Sequence, residues 1–340
     1  MKVRGLARVA LSLLLIAGIT LGMHEIRVKV GTVADYVSTS AGADVLVEIP
    51  EGATGSQIAR ILFDRDVVKS SESFFQVAVG DPRSSRIAPG VHRLQMRISA
   101  RDALTQLLDS TRIPGLVTVP EGSWRSEILS TLATSGFTIA ALSKALKSLS
   151  IPRGFSAREG VFFPAQYSFP TGTTEVRALQ AMVDRFATEV SVSGLSAGRD
   201  GFSPLQLLTI ASLIQAEGDE VDFGKISQVI RNRLKLGMPL QLDTTVHYIK
   251  HTRGQIFLSA QSTQLASPYN TYLHYGLPPG PIGNPGRAAM EASMNPTMGD
   301  WIFFITVKPG DTRFTASNGE FLRWKSEYEK NYRAGLFGKK

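Results

Sequence analysis

Two stretches of this chain are written to one pattern, and that pattern limits the folds open to it. "VEIPEGATGSQIARIL" (Val47 to Leu62) and "VTVPEGSWRSEILSTL" (Val117 to Leu132) each run an alternating strand into Pro-Glu-Gly, a polar position and apolar residues at helical spacing. Alternation with period two marks a half-buried strand, whereas apolar residues three and four apart mark one face of a helix. Two copies are too few for a solenoid, so the echo predicts two small strand–turn–helix units. After the first, "RDVVKSSESFFQVAV" predicts a turn, a serine cap and a short helix, and "GVHRLQMRISARDALTQLLDS" a strand and another helix. A strand–helix–helix–strand module over Val45 to about Arg97 follows, within an α+β fold.

From Ser156 the texture changes. "REGVFFPAQYSFPTGTTEVRALQAMVDRFATEV" is aromatic and proline-punctuated before a helix from about Thr174. "VSGLSAGRDG" (Val192 to Gly201) reads as a flexible surface loop. Ser203-Pro204, a cap followed by proline in the first turn, opens the next helix. Another runs from about Asp222 to Leu236 and stops at Gly237, and "LQLDTTVHYI" is a strand candidate. "SPYNTYLHYGLPPGPIGNPG" cannot be regular structure. "WIFFITVKPGDTRFTAS" is a hairpin turning at Pro309-Gly310, and a polar helix near Glu320 to Arg333 closes the chain.

The chain opens with Lys2, Arg4 and Arg8 ahead of an apolar run from Val9 to Met23. A membrane span usually takes about 20 residues; counting from Leu6, with Arg8 snorkelling to the headgroups, brings the run close to that. A cleaved signal peptide is the competing reading, since a charged start and an apolar stretch are both present. Its small-x-small cleavage site is missing, because the run ends in Leu21-Gly22-Met23-His24. The expectation is a cytoplasmic tail over 1–5 and an uncleaved transmembrane anchor over 6–26, with the rest outside the cytoplasm. A formal charge of +8 favours anionic surroundings. No basic stripe interleaved with aromatics, zinc-finger spacing or RNA-binding signature accompanies it, so no nucleic acid is expected as a partner. With no cysteine, disulfides, thiolate metal sites and a cysteine nucleophile are excluded.

The segment "SPLQLLTIASLIQAEGDE" carries the sharpest chemical question. On a helix from Pro204, Leu207, Ile210 and Ile214 share one face, and Glu217 is the next step along it. Partial burial and the negative end of the helix dipole both disfavour the charged carboxylate there. A carboxyl so placed can stay protonated near neutral pH and donate its proton, as glycosidase acids do. Equally open is a carboxylate that turns to solvent and merely ends the helix at Gly218. His247 and His251 are four apart, as zinc ligands on a helix can be, but their segment reads partly as a strand and lacks the metalloprotease glutamate. No metal or other cofactor is assigned. The long loop packs Tyr269, Asn270, Tyr272, Tyr275 and Asn284 among glycines and prolines, offering the flat faces and hydrogen bonds that sugars need.

In order along the chain, "IASLIQAEGDE", "VIRNRLKLGMPLQLDTTVHY" and "SPYNTYLHYGLPPGPIGNPG" resemble the MltG-type, or YceG-like, endolytic murein transglycosylases. The resemblance spans about Val45 to Arg333 and includes the anchor. It implies a small LysM-like βααβ subdomain over 45–110 and a larger mixed α+β catalytic domain over 117–335. The family's catalytic glutamate falls on Glu217. Its motifs fall on Leu240, Gln241, Asp243, Thr245, Val246 and Tyr248, on Tyr269 to Tyr272, on Gly276 to Ile282, and on Glu159-Gly160 with Phe163-Pro164. The implied substrate-binding residues are Gln241, Asp243, Thr245, Tyr269, Asn270, Thr271, Tyr272, Gly280, Asn284 and Glu159. Three departures stand out. Many members have Glu-x-Glu where this chain has Gln215-Ala216-Glu217, Asp-Pro-Thr where it has Asp243-Thr244-Thr245, and His-x-Phe where it has Thr312-Arg313-Phe314.

What the resemblance implies is a membrane-anchored lyase that cuts peptidoglycan glycan strands internally and leaves 1,6-anhydro-muramyl ends. It would terminate elongation of nascent strands near penicillin-binding proteins. Two other readings are a non-catalytic LysM-type wall-binding protein and a hydrolytic muramidase. A hydrolase ordinarily needs two carboxylates, whereas attack by the substrate's own C6 hydroxyl needs one.

Overall fold

The computed structural model describes residues 33–37, 41–50, 52–156, 158–253, 259 and 261–337. The tail and anchor expected over 1–5 and 6–26 lie outside them. No described helix is long and apolar enough to cross a membrane. The chain divides into two units, Met1–Pro114 and Gly115–Lys340.

In the first unit, strand β1 (Asp44–Ile49) leads into helices α1 (Gly55–Asp64) and α2 (Ser71–Gly80), then strand β2 (Gly90–Gln95) and helix α3 (Ala100–Leu107). The two strands pair antiparallel from Asp44 opposite Gln95 to Ile49 opposite Gly90. Alternation puts Val47 and Ile49 on the inner face, where they meet Leu62, Phe74, Leu94 and Leu104 in one core. Thr54 and Gln57 form a reciprocal capping box at the start of α1, and Ser70 caps α2. The strand–helix–helix–strand order is the one that alternation and the serine cap predict.

In the second unit, β3 (Leu116–Thr118) is followed by α4 (Arg125–Thr134), α5 (Ile139–Ala145), β4 (Gln166–Ser168) and α6 (Glu175–Ser193). Then come α7 (Pro204–Glu217), α8 (Phe223–Lys235), α9 (Asp243–Lys250), α10 (Arg287–Met294), the hairpin β5 (Phe303–Lys308) and β6 (Asp311–Thr315), and α11 (Asn318–Arg333). Strands β3 and β4 pair antiparallel, as do β5 and β6. Helix α7 is the axis of the unit. Ser203 and Gln206 close its N-terminus with a capping box, and Pro204 occupies the first turn.

Three expectations are corrected. Helix α7 is not amphipathic with one apolar stripe, because Leu207 through Ile214 are all buried. It lies between two clusters: Leu207, Leu208 and Ala211 pack with Phe162, Phe186 and Met290, and Ile210, Leu213 and Ile214 pack with Phe223, Ile230 and Leu242. A helix buried on every side is one that the core encloses. Second, "LQLDTTVHYI" is not a strand. Asp243 opens helix α9, which buries Thr245 and Val246 against the core. Third, the segment Val192 to Gly201 is not a loose loop: α6 runs to Ser193, and Gly194 (φ 74°) turns the chain into a single helical turn that buries Leu195.

Candidate active site

Glu217 is the last residue of α7, and the backbone leaves the helix in extended conformation at Gly218. Its carboxyl meets the first turn of α9. Leu242, which precedes α9, makes no side-chain cap, so the helix begins with unmatched amide donors. Glu217 supplies the missing acceptor: Thr244 donates its hydroxyl to Oε1, and the Thr244 backbone N–H also favours the charged carboxylate. Burial of the carboxyl works the other way and wins, aided by the neighbouring negative charge of Asp243, so the Glu217 pKa is pushed up to about 7. Arg233, whose guanidinium donates to the Leu240 and Ile302 carbonyls at 2.6 Å each, partly opposes this rise.

The long loop wires the start of α9 in place. Thr271 Oγ1 accepts the Leu242 N–H at 2.9 Å, its carbonyl accepts the Gln241 N–H at 3.0 Å, and its hydroxyl lies 3.0 Å from that of Thr245. Thr245 in turn donates to the Leu242 carbonyl at 2.7 Å. Tyr272 donates its hydroxyl to Asp243. Asn270 holds the loop itself, donating to the Thr263 and Leu265 carbonyls and accepting the Tyr272 N–H. Gln241, exposed at the mouth of the turn, sits at φ 47°, a left-handed conformation that costs a non-glycine residue strain.

A second group gathers around Glu159. Its carboxylate accepts the Arg125 N–H at the start of α4 (2.8 Å), the Asn284 amide (2.9 Å) and the Tyr248 hydroxyl (3.3 Å). Burial nevertheless raises its pKa to about 7. Asn284 is fully enclosed; it donates also to the Ser123 carbonyl and accepts the Phe162 N–H. Tyr248 packs on Tyr269, with ring centroids 5.2 Å apart, and Gly280 passes close by, a Cβ there lying 3.4 Å from the Tyr269 hydroxyl. The expected residues thus form two hydrogen-bonded groups, and α9 contributes to both. Asn270, Thr271, Thr245 and Asn284 are buried and bonded within the protein, so they shape the site from behind.

Helix α7 holds the far end of the loop along its own length. Ser212 Oγ accepts the Ile282 N–H at 3.0 Å, and Gln215 accepts the Gly286 N–H at 2.9 Å. The second Pro-Glu-Gly turn docks there too, through paired backbone bonds between Gly122, Ser123 and Asn284. A Cβ at Gly283 would come within 2.8 Å of the Gly122 carbonyl, so only glycine permits this approach. Between the turn, α7 and α9 opens a cavity of about 300 Å³, lined by Trp124, Gln215, Ala216, Thr244, His247 and Arg253 among others. The Arg253 guanidinium stacks 4.1 Å from the Trp124 ring and pairs with Glu127 at 2.6 Å. His247 Nε2 is enclosed with no hydrogen-bond partner, and burial lowers its pKa.

Of these wall residues, Trp124, Gln215, Thr244, His247 and Arg253 carry no site role in the sequence reading. Helical spacing would have found two of them, since Thr244 and His247 are three apart on one face of α9. Chemically, the arrangement offers two carboxyls raised to about 7, Glu217 at the junction of α7 and α9 and Glu159 enclosed by its three partners. A polar and aromatic wall stands next to Glu217, and a third carboxylate, Asp243, is held by a tyrosine. Among the described residues no group of three or more His, Asp or Glu side chains converges as a metal would require.

The sequence model of the YceG-like family matches residues 47–327. The endolytic murein transglycosylase of Bacillus subtilis (strain 168) is 32% identical over 317 residues, covering 86% of this chain and 87% of that protein. The protein of the same name from Streptococcus pneumoniae (strain ATCC BAA-255 / R6) is 29% identical over 313 residues, covering 81% of this chain and 56% of that one. A crystal structure of a yceG-like protein from Listeria monocytogenes superposes with a TM-score of 0.55 at 25% identity, covering 83% of this chain and 99% of that chain. With the family pattern running through both units and across α7, α9 and the long loop, this chain belongs to the YceG-like family.

Proposed function

We propose that this protein is a lytic transglycosylase that cuts peptidoglycan strands internally between N-acetylmuramic acid and N-acetylglucosamine, with Glu217 as its acid and base. The observation that carries the reading is Glu217 itself: a carboxyl that burial pushes up to about 7, bonded to Thr244, which with Ala216 lines a polar and aromatic cavity. In the first half of the reaction it gives its proton to the glycosidic oxygen as the bond to muramyl C1 breaks. The muramyl C6 hydroxyl then attacks C1, and the Glu217 carboxylate takes its proton. The ring closes to a 1,6-anhydro end, no water is consumed, and the acid is restored. Ring closure within one sugar is favoured because both reacting groups are already held together, an advantage of roughly 7–11 kcal/mol at best.

Mass spectrometry of sacculi digested with the full-length protein tests this. The expected muropeptides are anhydro-ended, each lighter by one water than its hydrolysed counterpart, and cuts continue when strand ends are blocked. Mainly reducing muramyl ends would make water the nucleophile and the protein a muramidase. Release of no fragments would leave a wall-binding protein.

Asp243 is the nearest test of the single-acid mechanism. Its charge raises the Glu217 pKa, so Asp243→Asn lowers that pKa. Activity requires protonated Glu217 and falls as pH rises through the pKa. The alkaline limb of the rate profile is therefore expected to move to lower pH in the variant, with substantial turnover kept below it. Loss of turnover at every pH would instead make Asp243 a second catalytic carboxylate.

The same reading takes the first unit, with its βααβ order, as a LysM-like subdomain holding wall glycan. It takes 6–26 as a single-pass anchor that keeps the catalytic unit outside the cytoplasm. Substrate contacts fall to Tyr269, Tyr272, Gln241 and Gly280, with Asn270 and Thr271 holding the loop behind them, and the working location is beside penicillin-binding proteins. Apolar run length, basic flank and loop chemistry support these assignments; carbonate extraction and N-terminal sequencing of the membrane fraction test the anchor.

A further inference from the structure

We propose that Thr244 is a positioning residue for the acid: its hydroxyl occupies Glu217 Oε1 and so holds the transferable proton on Oε2. The proposal rests on the reading of Glu217 as the acid, and it begins from geometry. A carboxylic acid has one proton and two oxygens, and its carbonyl oxygen is the stronger acceptor, so a hydrogen bond donated to one oxygen favours the proton on the other. Thr244 donates to Oε1 from the first turn of α9, the helix that meets the end of α7. Thr244 and Ala216 both line the cavity, so the clamp sits at the edge of the space a substrate would fill. Left free, a carboxyl at a helix end would rotate about its terminal bonds and share its proton between two oxygens.

Position 244 is also where this chain departs from the Asp-Pro-Thr pattern. A proline there has neither a hydroxyl nor an N–H. Threonine supplies both donors to the same carboxyl, and both favour its charged form. The groups that face Glu217 are Thr244 and Asp243 from α9, Arg233 from α8 and the Tyr272 phenol from the long loop. Changing Thr244 alone leaves the two charges in place. Thr244→Val removes the hydroxyl and keeps the shape. Thr244→Pro removes both donors at a position in the first helical turn, whose N–H has no partner within the helix. Thr244→Ser keeps both.

The test is the ¹³C titration of the Glu217 carboxyl in the full chain, identified by its disappearance in Glu217→Gln. The alkaline limb of cleavage is measured alongside. The midpoint is expected to be unchanged in Thr244→Ser and raised by about one pH unit in Thr244→Val, the difference between a hydrogen bond to a charged and to a neutral acceptor. Thr244→Pro is expected to raise it further. In the Val variant kcat below the midpoint is expected to fall several-fold with KM little changed, because the proton is no longer confined to one oxygen. A Glu217 titration that is the same in wild type and in the Val variant would overturn the proposal, whether or not the Pro variant folds. If the titration moves as expected while Glu217→Gln still cleaves glycan, the clamp stands and the assignment of the acid is what fails.

Discussion

Glu217→Gln is expected to lower turnover on purified sacculi by a factor of about 10²–10⁴, the contribution usual for a general acid. Glutamine keeps the length and planarity of the side chain, and its Oε1 can still accept the Thr244 hydroxyl. Helix α7 remains enclosed from Leu207 to Ile214, so the fold has no reason to change. What is lost is the proton. The other carboxyl with a pKa near 7, Glu159, does not compete for the role: it is only 6% exposed, with Arg125 and Asn284 on Oε1 and Tyr248 on Oε2. Near-normal cleavage by a folded Gln variant, checked by circular dichroism, would move the acid elsewhere, with Asp243 the next to test.

How much of this was legible in the sequence depended on the range of the interaction involved. Thr54, Ser70, Ser203 and Pro204 announce helix starts because a cap acts within three residues. The Pro-Glu-Gly echo gave both strand–turn–helix units for the same reason. Glu217 at the end of an apolar helix was visible, but its two readings were not separable, because what decides between them is Thr244, twenty-seven positions away. Helix α9 reads as a strand because Leu240, Leu242, Val246 and Tyr248 fall on alternate positions. Its real start is set by Glu217 and Thr271, which satisfy donors that no residue of its own caps. Likewise, Asn270 and Asn284 read as sugar-binding amides. Nothing local shows that their hydrogen bonds are used up on the Thr263, Leu265 and Ser123 carbonyls.

The acid that serves the reaction is expected to weaken the fold at alkaline pH, and Glu217→Gln is expected to relieve this. Glu217 titrates near 4.5 in an unfolded chain and at about 7 in the folded one. Between those values the folded protein binds the proton and the unfolded chain does not, so raising the pH favours unfolding. The stability that protonation confers is complete below about pH 4.5 and lost as pH rises through about 7, and a shift of this size corresponds to roughly 3 kcal/mol. Glutamine does not titrate. Any packing cost it brings is the same at every pH, and so is cancelled by comparing pH 5 with pH 8. Glu159, raised to about 7 by burial, makes a similar contribution in both proteins and cancels too. The expected result in urea unfolding is therefore a Gln variant that gains roughly 2–3 kcal/mol on wild type between pH 5 and pH 8. If the difference between the two proteins does not vary with pH, Glu217 has an ordinary carboxylate pKa and is ionised at neutral pH. It would then have no proton for the glycosidic oxygen, and the first step of the mechanism would lose its donor.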